Sequence, residues 1–144
     1  MENSKSKIFA QFISGIFGGT IVGIVAFLTM TNYGGNNGGC FITAGYESCG
    51  QFGAITGMLI GAIIGIAIFS KVKITNYSKA ALWLLIGAFL LPFLYGVIMF
   101  WPPFENNDLL IVPPVILIFM LFSTIPSLVI TGTINWRKFF RHKQ

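Results

Sequence analysis

Apolar residues fall into four long runs along the chain, separated by short polar segments. The runs cover residues 8–30, 52–69, 80–101 and 109–134, and none of them contains Asp, Glu, Lys or Arg. Each run is close to the ~20 residues that a helix needs to cross ~30 Å of hydrocarbon. Backbone groups in lipid must be hydrogen-bonded internally, so we expect helices in all four runs. The pattern predicts an all-α integral membrane protein, a four-transmembrane-helix bundle forming one membrane domain over residues 1–144.

The composition of the chain also indicates a membrane protein. Of the 144 residues, 55% are hydrophobic and only 9% are charged, whereas soluble domains carry about 25% charged residues. So few charges cannot cover the surface of a water-soluble globule in which more than half of the residues are apolar. An ordinary soluble enzyme, a disordered segment and a disulfide-rich secreted module are therefore excluded.

The charges are distributed unequally between the two sides of the predicted membrane. Lys and Arg occur only in the N-terminal segment, the second connection and the C-terminal tail, whereas the other two connections carry only acidic charges. Positive residues are retained in the cytoplasm, so we expect both termini and the second connection on that side, facing an anionic leaflet. We expect a bacterial inner membrane or a thylakoid-like one, and a eukaryotic membrane is the alternative. The net charge of +5 reports topology in this interpretation and does not indicate binding of nucleic acid.

Glycine recurs every fourth residue in the first two runs. Such stripes allow membrane helices to approach closely, often at crossed angles. One interpretation is a glycine zipper between several copies of the chain around a pore, and the other is a hairpin in which the first two helices pack on each other. The residues of the two stripes are Gly15, Gly19 and Gly23 in the first run, and Gly53, Gly57, Gly61 and Gly65 in the second.

The third and fourth runs are bulkier and contain prolines. Proline removes a backbone donor and tends to kink a helix, so we expect kinks at Pro92, Pro113, Pro114 and Pro126. Broken helices also line substrate cavities in transporters, which is the alternative interpretation of these positions.

Both cysteines of the chain, Cys40 and Cys49, lie in the first connection, on the predicted non-cytoplasmic side. Thiols there are commonly oxidised, and the pair is not the C-x-x-C arrangement of catalytic dithiols. The sequence predicts a Cys40–Cys49 disulfide within a Gly- and Asn-rich loop over residues 31–50. In the chain-entropy account, this bridge stabilises the fold by about 2.5–3 kcal/mol.

The C-terminal tail, residues 135–144, mixes basic and aromatic side chains. Such a segment is expected to lie at the cytoplasmic interface, where anionic lipid attracts its basic residues, and docking to a partner is the alternative. Its residues of interest are Trp136, Arg137, Lys138, Phe139, Phe140 and Arg141.

The spans contain polar residues but no carboxylate, histidine or basic residue, which active transport and proton coupling normally need. No nucleotide-binding loop, catalytic triad or metal-ligand spacing occurs, so we expect no enzyme activity, no cofactor and no metal. The leading hypothesis is an accessory, assembly or scaffold subunit of a larger membrane complex. A homo-oligomeric channel or passive pore is the alternative, and a redox or sensing role of Cys40 and Cys49 is a third. The polar residues of the spans include Gln11, Ser14, Thr20, Thr56, Ser123, Thr124, Ser127 and Thr131.

Overall fold

A computed structural model describes residues 2–40, 43–72, 74–99 and 110–140. The chain forms four helices: α1 (Glu2–Asn37), α2 (Tyr46–Lys71), α3 (Tyr77–Met99) and α4 (Val112–Phe140). Each is long and apolar enough to cross a membrane. The prediction of four membrane-length helices is therefore confirmed.

The four helices alternate in direction, so each end of the bundle collects two helix starts and two helix ends. One end, which we call the lysine end, carries Lys5, Lys7, Lys71 and Lys79. The opposite end carries the two cysteines, and we call it the disulfide end. Helix α1 is central because it packs against each of the other three, whereas the backbones of α2 and α3 stay apart and only their side chains meet, near the lysine end.

Helix α1 is longer than the first apolar run, with 36 residues and a length of about 54 Å. It continues to Asn37, through the first part of the segment that was expected to be a loop. The extra turns pack on the start of α2, since a β-carbon built at Gly34 would lie 2.8 Å from Cys49 Sγ. The helix ends where the Asn37 side chain donates to the Tyr33 carbonyl and Gly38 adopts a positive φ of 70°. The expected loop is thus partly helix.

The rest of that connection contains a small hairpin. Strand β1 (Gly39–Cys40) pairs with strand β2 (Thr43–Ala44) in antiparallel register, with Gly39 opposite Ala44 and Cys40 opposite Thr43. This hairpin is a minor β element in a fold that was expected to be all-α.

The prolines of α3 and α4 occupy two kinds of position. Pro92 and Pro126 lie inside their helices. Pro113 and Pro114 lie in the first turn of α4, where a missing backbone donor breaks no intrahelical hydrogen bond. At that end of the helix, proline serves as a helix start.

Candidate functional site

The contact between α1 and α2 is formed by α2 glycines that abut α1 backbone carbonyls. A β-carbon built at Gly57 would lie 2.7 Å from the Val22 oxygen, and one built at Gly53 would lie 2.5 Å from the Ala26 oxygen. At Gly61 a β-carbon would overlap the Gly18 carbonyl, and at Gly65 it would overlap the Ser14 carbonyl. The two backbones therefore meet at four successive turns. The α1 residues paired with Gly65, Gly61, Gly57 and Gly53 are Ser14, Gly18, Val22 and Ala26.

The other stripe, in α1, has a different main partner from the one expected. A β-carbon built at Gly15 would lie 2.6 Å from Ser127 Oγ, and one built at Gly19 would lie 2.9 Å from Ser123 Oγ. Gly23 lies against Phe119, also on α4. The edge of α2 also touches this stripe, because Met58 approaches Gly19 and Gly23. Helix α1 therefore presents two small-residue faces, one to α2 and one to α4.

The face of α4 that meets these glycines is polar. Its residues recur every fourth position, so they form one line along the helix, which we call the polar seam. All four are buried, with relative exposures of 5% or less. The line runs over 13 residues, from position 123 to position 135, or about 18 Å of helix. The seam consists of Ser123, Ser127, Thr131 and Asn135.

At the lysine end, the seam joins a hydrogen-bonded cluster that connects three helices. Asn135 Nδ2 donates to Gln11 Oε1 at 3.2 Å and to the Thr131 carbonyl at 2.9 Å. Gln11 Nε2 in turn donates to Ser70 Oγ at 3.0 Å. Side-chain bonds therefore run from α4 through α1 to α2. Helices α1 and α2 are also linked by Ser14 Oγ, which lies 3.2 Å from the Gly65 carbonyl oxygen.

Three buried oxygens of the seam have no hydrogen-bond partner among the residues that the structure describes: Ser123 Oγ, Thr131 Oγ1 and Asn135 Oδ1. Buried polar atoms are normally paired, and an unpaired one costs about 1–3 kcal/mol. The Ser123 hydroxyl lies beside Gly19, where the glycine Cα–H groups offer only a weak contact. The seam thus keeps hydrogen-bonding capacity that the described part of the chain does not use.

Near Pro126, two hydroxyls bond to neighbouring carbonyls. Ser127 Oγ donates to the Ser123 carbonyl at 2.7 Å, and Thr124 Oγ1 donates to the Leu121 carbonyl at 2.6 Å. These carbonyls flank that of Phe122, from which Pro126 removes the usual i+4 donor.

Cys40 and Cys49 form a disulfide with their Cα atoms 5.6 Å apart, within the usual range. The bridge ties strand β1 to the first turn of α2, and Cys49 is fully buried. Gly34 of α1 packs directly on it. The predicted disulfide is present and is part of the packing at this end of the bundle.

The predicted interfacial tail continues α4 for its first residues. The helix runs through Trp136, which is 63% exposed, to Phe140, whereas Arg141 lies outside the described residues. Asn135, the first residue assigned to the tail, belongs to the seam. Within the described ranges, no three His, Cys, Asp or Glu side chains are grouped closely enough to hold a metal ion.

Sequence reasoning missed two of these residues. Gly18 lies next to Gly19 in the sequence, outside the every-fourth-residue stripe, and it belongs to the face of α1 that meets α2. Asn135 lies one residue beyond the predicted span. The i+4 spacing from Ser123 to Asn135 was the signal that could have found the seam.

The chain matches no known protein family, and no curated protein or solved structure is detectably similar to it.

Proposed function

We propose that this chain is a non-enzymatic, multi-pass membrane protein that serves as an accessory, assembly or scaffold subunit of a larger membrane complex. Its lysine end faces the cytoplasm, and its membrane is a bacterial inner or thylakoid-like one. The proposal rests first on four apolar helices of membrane length, and on the restriction of Lys and Arg to one side of them.

The observation that carries the scaffold role is the internal use of both glycine stripes. One faces α1 and the other faces mainly α4, so each stripe is covered by helices of the same chain. A ring of subunits packed through these stripes would have to displace those helices. The bundle is thus complete by itself, and its outer surface of large apolar side chains is what it offers to neighbours.

Composition of the native particle tests this proposal. The tagged protein would be extracted from its own membranes in mild detergent, and the mass and subunits of the particle would be measured. We expect other membrane proteins at fixed stoichiometry. A particle that contains only this chain would contradict the accessory role.

A passive pore is the second candidate, and the polar seam is the observation that favours it. The oxygens of the seam that lack a partner among the described residues could bind water. Because the α1 glycines lie against the seam, conduction would require α1 and α4 to separate. Flux in liposomes that contain only the purified chain tests this candidate. A pore along the seam predicts flux that Ser123→Val reduces and Thr133→Val, at an exposed position on the same helix, leaves unchanged.

A further inference from the structure

A lateral groove lies between α2 and α3, with α1 as its floor. Its volume is about 540 Å³, within the ~300–1,000 Å³ typical of small-molecule sites. It exists because α2 and α3 each pack on α1 and their backbones stay apart, with side-chain contact between them near the lysine end. Gly18 of α1 and Gly61 and Gly65 of α2 line the groove, so it is deep where α1 and α2 approach most closely.

The walls of the groove are apolar along its length. Ile64 and Ile68 of α2 stand opposite Trp83 and Leu84 of α3. The single polar lining residue, Ser14, lies within hydrogen-bonding distance of the Gln11 and Gly65 carbonyl oxygens, so it offers no free donor. An occupant must therefore be a hydrocarbon over most of its length.

The surroundings of the groove decide which hydrocarbon fills it. The groove is open on one side and is lined by helices of membrane length. In a bilayer such an opening faces lipid tails, and a flexible chain of methylene groups follows an irregular apolar wall more closely than a helix ~10–12 Å wide does.

The lysine end of the groove adds a charge requirement. Val72, Ile74 and Ala80 line the groove there. Lys71 and Lys79 are their neighbours in sequence, and both are exposed. Lysines beside the end of an apolar groove suit an acyl chain that carries an anionic headgroup.

We propose that this groove is a binding site for one anionic glycerophospholipid, with an acyl chain between α2 and α3 and its phosphate at Lys71 and Lys79. The site requires the chain to span a bilayer but needs no partner subunit. It can therefore fail while the accessory role holds, and the reverse is also true.

Trp83 lines the groove and provides a local reporter for the test. With Trp101 and Trp136 changed to Phe, its fluorescence would be measured in phosphatidylcholine vesicles as brominated lipid replaces unlabelled lipid. We expect brominated phosphatidylglycerol to reach half of its quenching at about thirtyfold lower mole fraction than brominated phosphatidylcholine, the ratio expected of two lysines. Equal curves for the two lipids would overturn the proposal and leave the groove to another occupant.

Two pairs of matched variants separate the site from general attraction. Lys71→Gln with Lys79→Gln should reduce the preference to below about twofold, whereas Lys5→Gln with Lys7→Gln, the same charge change at the same end, should keep it. Equal loss from both pairs contradicts a local site. Ile64→Phe, which narrows the groove, should weaken the preference, and Ile63→Phe, outside the lining and equally exposed, should not.

Native mass spectrometry of the unmodified protein gives an independent readout. We expect one phosphatidylglycerol retained per chain after transfer from mixed vesicles, and fewer retained on the Lys71→Gln, Lys79→Gln variant. Retention of phosphatidylcholine to the same extent would count against the site.

Discussion

At the scale of single residues, glycine has different importance at different positions of the helices. At Gly61, a β-carbon would overlap the Gly18 carbonyl, which belongs to the backbone and cannot rotate away. At Gly132 of α4, nothing lies within 4 Å of the added atom. The close approach of two backbones thus requires glycine at position 61, whereas the surroundings of position 132 leave room for a side chain.

We therefore expect opposite effects from the same substitution at these two positions. Gly61→Ala should lower the free energy of unfolding by about 1–3 kcal/mol, the usual cost of overpacking. Gly132→Ala should leave it unchanged or raise it by up to ~1 kcal/mol, because alanine favours the helix. Unfolding in a titration with sodium dodecyl sulfate, followed by circular dichroism, measures both. A Gly61→Ala protein as stable as the wild type would contradict the close contact of α1 and α2.

The bond between Gln11 and Asn135 makes a second prediction at this scale. Changing either residue to Leu leaves the other buried and without this partner, so each single variant should be destabilised. In a double-mutant cycle, we expect a coupling of about 0.5–2 kcal/mol, the range of hydrogen bonds between membrane helices. Thr133→Val serves as the control because Thr133 is exposed and donates to the Ile130 carbonyl of its own helix. A coupling of zero would mean that the two side chains do not act together.

The residues of the α1 interfaces show how far the sequence alone reaches. The spacing of glycines identified the packing surfaces, because close approach requires small residues in any arrangement. It could not assign Gly15 to α4 and Gly18 to α2, since both positions carry the same residue. That assignment depends on the rotation of α1 relative to its neighbours, which is a property of the assembled bundle.

At the scale of elements, the start of α2 and the end of α1 form one unit with the disulfide. Local composition favoured a loop at Gly34 and Gly35, because glycine weakens isolated helices. Packing of Gly34 on Cys49 outweighs that preference and extends α1 to Asn37. A contact with a later segment cannot be read from the local pattern. The sequence therefore predicted helix α1 but placed its end too early.

Reduction of the bridge should therefore loosen this end of the bundle. We expect dithiothreitol to lower the unfolding free energy of the wild type by about 2.5–3 kcal/mol, from the loop-closure entropy. A Cys40→Ser, Cys49→Ser variant should show the lower stability already and should not respond to the reductant. A wild type that is equally stable in both states would show that α1 and α2 hold this end without the bridge.

At the scale of the whole molecule, the two ends differ in charge, and this asymmetry sets the expected orientation. Lys5, Lys7, Lys71 and Lys79 lie at the lysine end, and Glu47 lies at the other. The apolar runs alone fixed the number of helices, and the basic residues fixed their expected direction. The packing of the helices on one another is the same for either orientation of the bundle in the membrane.

Labelling of single thiols tests the orientation without altering the native pair. The two native cysteines are bonded to each other, so the wild type provides a background without free thiols. Thr75→Cys at the lysine end and Asn36→Cys at the disulfide end both replace exposed polar residues. A membrane-impermeant maleimide added to intact spheroplasts should label Asn36→Cys, and Thr75→Cys should react only after lysis. Labelling of Thr75→Cys from outside would reverse the proposed orientation, and the lysine pair of the groove would then face the outer leaflet.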